Sequence, residues 1–135
     1  MATLTTHRQN LGQPLAMVLR LLIVALTLAT AQIHATLGGL MFTLNAIGYA
    51  ALAVAMVLPG PFGRIRWLTR YALAGFAAAT IGGWLAFGAR FDLAYIDKAI
   101  EAALIGFVLV ESWLTDGGPL AVARRARNTV AAFLP

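Results

Sequence analysis

The sequence predicts an all-α integral membrane four-helix bundle, with both termini cytoplasmic and a short amphipathic C-terminal surface helix. Three observations predict it. Four apolar stretches, at about residues 15–36, 40–58, 67–87 and 93–114, each approach the ~20 residues that cross ~30 Å of hydrocarbon at about 1.5 Å per residue. Glycine and proline punctuate the chain between them. Of ten Lys/Arg residues, Arg8, Arg20, Arg64, Arg66, Arg70, Arg124, Arg125 and Arg127 fall on one side, leaving Arg90 and Lys98 on the other. Positive charge is retained on the cytoplasmic side, so this bias sets the orientation.

Composition agrees. The chain is 61% hydrophobic and 11% charged, against about 25% charged residues in soluble domains. Four spans with short connections use up 135 residues, so a single transmembrane domain over 1–135 is expected. The formal charge of +5 sits beside apolar spans instead of among exposed aromatics. Membrane lipids with anionic headgroups at the cytoplasmic face are therefore the expected partner, and nucleic acid is not. Cysteine is absent, which excludes thiol redox chemistry and thiolate metal sites.

Gln13-Pro14 can open the first helix, since proline at the first helical position loses no hydrogen bond. Arg8, the apolar run 21–28 and Ala29-Thr30-Ala31 also mimic a signal peptide. A retained helix is preferred because the apolar run continues into a second span. Gly38-Gly39 permits a tight hairpin, and Pro59-Gly60-Pro61-Phe62-Gly63 breaks the chain on the inner side. Asp92 is the expected N-cap of the fourth helix, and Asp116-Gly117-Gly118-Pro119 ends it. Trp67, Tyr71 and Trp113 mark the inner interface, and Trp84, Phe87, Phe91 and Tyr95 the outer one. In the interfacial tail, 119–135, Val122, Ala126, Val130 and Phe133 share one helical face opposite Arg124, Arg125 and Arg127, the pattern of a helix lying on a leaflet.

Burial alone does not drive helices together in lipid, so small residues nominate packing faces. Span three carries Gly75, Ala79, Gly82 and Gly83 at helical spacing, and span four offers Gly106. These are the expected contacts, within the bundle or with a subunit partner, and a homo- or hetero-oligomer is expected.

Ionisable groups at membrane depth are costly and usually face a bundle interior. Counting residues from the span ends places His34, Asn45, Asp97 and Glu101 in one outer layer, an intramembrane polar cluster, with Gln32, Thr30 and Thr80 within reach. Arg20 and Glu111 share an inner depth and form a candidate structural ion pair, with Arg70 as a substitute for Arg20. Each has a plainer alternative: Glu101 pairs with Lys98 on its own helix, His34 is an interfacial hydrogen-bonding residue, and Asn45 joins helices.

The run His34-Ala35-Thr36-Leu37-Gly38-Gly39, leading into Leu44-Asn45-Ala46-Ile47-Gly48-Tyr49, with Asp97-Lys98 near the start of the fourth helix, resembles small four-helix membrane proteins of bacteria and haloarchaea. The resemblance covers most of the hydrophobic region and implies the four-helix arrangement without an activity. Small multidrug exporters and fluoride channels share the size. The chain lacks an exporter-like glutamate in span one, and its charge bias opposes dual insertion.

No phosphate loop, nucleophile elbow or paired-carboxylate signature appears. His7 and His34, the only histidines, are expected on opposite sides of the membrane, so no metal or cofactor is expected. The expectation is a non-catalytic protein of the inner (cytoplasmic) membrane, multi-pass, acting as an accessory or structural subunit of an energy-converting or transport complex. The alternative is a small oligomeric proton- or cation-coupled transporter or channel using Glu101.

Overall fold

In a computed structural model, the backbone is described over residues 2–132 and side chains over 12–132. Among the described residues the chain is helical throughout, without a strand. The helices are α1 (Ala2–Leu37), α2 (Leu40–Val57), α3 (Pro61–Arg64), α4 (Arg66–Phe87), α5 (Asp92–Asp116) and α6 (Pro119–Ala131). His7, Arg8 and Phe133 lie outside the residues with described side chains.

Three boundaries differ from the sequence expectation. Helix α1 does not open at Pro14; it runs through it from Ala2. An internal proline removes one i→i−4 bond, but residues on both sides keep theirs, and the helix continues. Asp92 is the first helical residue instead of the N-cap, which is Phe91, so its carboxylate meets the helix dipole without a side-chain cap bond. The break at 59–63 holds a helical turn, α3, because Gly60 takes φ 68° and Pro61 then sits at the first helical position.

The other stops follow local chemistry. Gly38 (φ 74°) and Gly39 (φ 86°) both occupy the left-handed region, which lets two antiparallel helices join through two residues. Nothing lies within 4 Å of an added Cβ at either, so conformation, not space, requires glycine. Arg66 donates from Nε to the Met56 carbonyl (3.0 Å) and from Nη2 to that of Leu58 (3.1 Å), satisfying acceptors at the end of α2.

Helices α1, α2, α4 and α5 run up, down, up and down, each flanked by two others: α1 by α2 and α5, α4 by α5 and α2. The upper end carries the 38–39 and 88–91 connections; the lower end carries α3 and α6. The core comprises Ile23, Ala31, Tyr49, Met56, Leu73, Ala77, Leu104 and Val108. Two segments, Gly12–Leu37 and Leu40–Val57, are long and apolar enough to cross a membrane.

Gly75, Ala79, Gly82, Gly83 and Gly106 do not form the seam of this bundle. All five are exposed, and an added Cβ at each of the four glycines would meet nothing within 4 Å. Periodicity identified a common face but not the direction in which it points. The close approach is at Gly48, where a Cβ would come within 2.7 Å of the Phe76 ring. Helix α6 lays only Val122 into the bundle; Leu120 and Val130 remain exposed, as do Arg124, Arg125 and Arg127.

Candidate functional site: a buried polar network beneath an aromatic cavity

Near the upper end, all four long helices supply one polar network. An i, i+4 spacing puts Thr30 and His34 on the inward face of α1, and the same spacing puts Asp97 and Glu101 on that of α5. Helix α2 adds Tyr49 and α4 adds Thr80. Thr30, His34, Tyr49, Asp97 and Glu101 are all buried, with Glu101 at 0% exposure.

The protons can be assigned by counting donors. Thr30 Oγ1 donates to Asp97 Oδ1 at 2.6 Å, which leaves it no proton for Glu101 Oε1, 3.5 Å away. Tyr49 fills that role, donating to Glu101 Oε1 at 2.7 Å, while its oxygen lies 2.9 Å from Thr80 Oγ1. Lys98 Nζ bridges the two outer oxygens, at 2.9 Å from Asp97 Oδ2 and 2.6 Å from Glu101 Oε2. Two carboxylates against one ammonium leave one net negative charge when His34 is neutral.

His34 has a defined tautomer. Its Nδ1 lies 2.9 Å from the Thr30 carbonyl oxygen, an acceptor only, so Nδ1 carries a proton. Nε2 has no hydrogen-bond partner among the described residues and stands 4.0 Å from Glu101 Oε1. The ring rests near Tyr49, with centroids 5.5 Å apart, and Phe42, at 6.0 Å.

Above the network lies a cavity of about 440 Å³. Phe42, Phe76, Trp84, Phe87 and Phe91 supply aromatic walls, and Ala79 and Gly83 make the wall thin on α4. His34, Asn45, Thr80, Asp97 and Lys98 supply its polar part, whereas Glu101 does not reach it. Asn45 is half-buried and has no hydrogen-bond partner among the described residues. Gln32, also considered for this layer, is exposed.

His34, Asp97 and Glu101 each offer one ligand atom, all within 4.8 Å of one another. The sequence count of histidines missed this donor set, because two of its members are carboxylates on another helix. Lys98 already holds one oxygen of each carboxylate, and its ammonium would repel a divalent ion there.

A second network occupies the lower half. Glu111, fully buried, accepts from Arg20 Nε (3.0 Å) and Arg70 Nη2 (3.2 Å). Arg70 Nε also lies 3.1 Å from Glu111 Oε2, off the line of its N–H, so that contact is ionic and not a hydrogen bond. Arg70 pairs with Asp116 as well, and Arg125 of α6 approaches Asp116 at 4.0 Å. Tyr71 and Ser112 join α4 to α5 at 2.7 Å. Both arginines engage Glu111, where the sequence offered Arg70 only as a substitute.

Between the networks, Ile23, Leu73, Leu104 and Val108 form a fully buried apolar layer. The upper cavity is thus separated from the lower charges within this chain. The chain matches no protein-family model, no curated protein and no solved structure.

Proposed function

We propose that the chain is a four-span membrane protein, with α1, α2, α4 and α5 crossing the bilayer and both termini cytoplasmic. It acts without catalysis, as a ligand-binding accessory subunit of a larger membrane assembly. The observation that carries the membrane placement is the inverted distribution of polarity: Asp97, Glu101 and Glu111 are buried, while Phe87 is 93% exposed, Leu40 77% and Met41 70%. Water would favour the reverse, and hydrocarbon favours this arrangement. Helix α5 carries several charges, yet it turns Tyr95, Ile96, Leu109 and Val110 outward. Its charge count therefore does not bar it from spanning.

With this orientation the cavity opens in the outer half and the Glu111 network lies in the inner half. The arginines of α6 then face anionic headgroups, while Val130 enters the leaflet. The apolar layer of Ile23, Leu73, Leu104 and Val108 weighs against a conduction path through one chain, and so favours one-sided binding over transport. The exposed small residues of α4 and α5 suit contact with a partner helix.

Purification in mild detergent followed by mass spectrometry of the intact assembly tests the subunit role. Stoichiometric membrane partners are expected, and Gly82→Leu is expected to release them while the chain stays folded. A chain that always purifies alone, and that drives proton flux in proteoliposomes lost in Glu101→Gln, would replace this reading with the transport one.

A further inference from the structure

We propose that the aromatic cavity is a binding site for a neutral, planar, lipid-soluble molecule carrying a carbonyl or phenolic oxygen, of the quinone type. The inference rests on the membrane-subunit reading above and names the ligand class of its site. Charge decides the first part. An anionic head would be repelled by the network's one net negative charge, and a cationic one by Lys98, whose ammonium already sits between Asp97 and Glu101. A neutral head avoids either repulsion.

Unused hydrogen-bonding capacity decides the second part. Lys98 has three N–H groups; one is donated to Glu101, and Asp97 engages the ammonium as an ion pair, so at least one is left. Asn45 is unpartnered among the described residues and offers an amide N–H. His34 Nε2 is bare in the neutral ring, because Nδ1 is committed to the Thr30 carbonyl. Two donors and one proton-accepting nitrogen among the residues that line one cavity recognise a carbonyl oxygen, or a hydroxyl that donates to His34. Glu101 is unsuited to the role: Tyr49 and Lys98 hold its two oxygens, and it does not reach the cavity.

Shape decides the third part. A volume of about 440 Å³ suits a small organic molecule instead of an ion, and ring faces pack well against Phe42, Phe76 and Phe91. Met41 and Phe87, both cavity-lining, are among the most exposed apolar side chains, which gives a molecule dissolved in lipid an apolar approach.

Trp84 lines the cavity and serves as the reporter. In a chain carrying Trp67→Phe and Trp113→Phe, purified in detergent, 2-methyl-1,4-naphthoquinone is expected to quench Trp84 fluorescence saturably. The isosteric hydrocarbon 2-methylnaphthalene, which lacks the oxygens, should compete about tenfold more weakly or worse, the cost of one lost hydrogen bond to a polar group. His34→Ala and Asn45→Leu should each weaken the quinone about tenfold while leaving the helical circular dichroism unchanged. Gly83→Phe should abolish saturation by filling the wall.

Quenching that rises linearly with quinone, equal competition by the hydrocarbon, or insensitivity to both His34→Ala and Asn45→Leu overturns the proposal. So does His34-dependent binding of zinc alone by calorimetry without saturable quinone binding. Cysteine-labelling topology is read separately: four spans without saturable quenching overturns the ligand class and leaves the membrane reading intact.

Discussion

The Tyr49 hydroxyl donates to Glu101 Oε1 at 2.7 Å, joining α2 to α5 across 52 positions of sequence. Both side chains are fully buried, so the bond has no water to replace it. Tyr49→Phe removes the donor and leaves a buried carboxylate oxygen short of a partner. The expected cost is about 1.5–3 kcal/mol, the range for hydrogen bonds to charged groups. Reversible unfolding in mixed detergent micelles measures it; unchanged stability would show that Glu101 does not depend on Tyr49.

Glu111 should be far less tolerant of change than Arg20. Glu111→Ala takes the shared partner from both arginines and leaves Arg70, which is almost fully buried, with Asp116 alone; it should cost up to about 3–5 kcal/mol, as when one partner of a buried pair is removed. Arg20→Ala leaves Glu111 with Arg70, and Arg20 is a quarter exposed, so a loss nearer ~1 kcal/mol is expected. The same unfolding assay orders the two, and an equal or reversed order would contradict the geometry.

Two glycines should respond in opposite directions. Gly48→Leu must displace the Phe76 ring, which packs edge-on against Tyr49 at 4.8 Å, and should destabilise by about 1–3 kcal/mol. Adding Phe76→Ala should relieve part of that loss. Gly75→Ala meets open space on an exposed helix face and should be neutral, or stabilise by up to ~1 kcal/mol. Thermal unfolding of the isolated chain checks both signs.

Binding of α6 to anionic bilayers should depend on Arg124, Arg125 and Arg127. Replacing all three by Gln is expected to weaken association of a peptide spanning 119–131 with phosphatidylserine vesicles by about 3 kcal/mol, roughly 1 kcal/mol per basic residue. The peptide follows the helix as the full chain folds it, from Pro119 to Ala131. Flotation with neutral vesicles should show little difference between the two peptides, and equal binding to both vesicle types would contradict an electrostatic contribution.

Helix ends were the legible part of the fold, because apolar runs stop where glycine and proline make continuation costly. The observed α2, Leu40–Val57, and α4, Arg66–Phe87, end within a residue of the apolar stretches. A fixed rise per residue also allows depth to be read from sequence, so His34 and Glu101 could be assigned one level. Facing could not be read in the same way. The stripe through Gly75, Gly82 and Gly83 has helical spacing but no polar residue to say which side is inward, and it stands exposed. Tyr49 was not singled out because a tyrosine among apolar residues carries no signal of its partner; only the packing of α2 on α5 supplies Glu101. Pro14 misled for a related reason: proline at a helix start and proline inside a helix look the same in sequence.

The central claim is that α4 and α5 cross a membrane with their charges inward, and site-directed labelling tests it most directly. The chain has no cysteine, so single cysteines can be introduced without background. In intact cells a membrane-impermeant maleimide should label Ala89→Cys, and should label Arg64→Cys and Arg124→Cys only after permeabilisation. Ile96→Cys and Val110→Cys, on the exposed apolar face of α5, should stay unlabelled in both states. Labelling of Val110→Cys from water, or of Arg64→Cys from outside, would contradict the account.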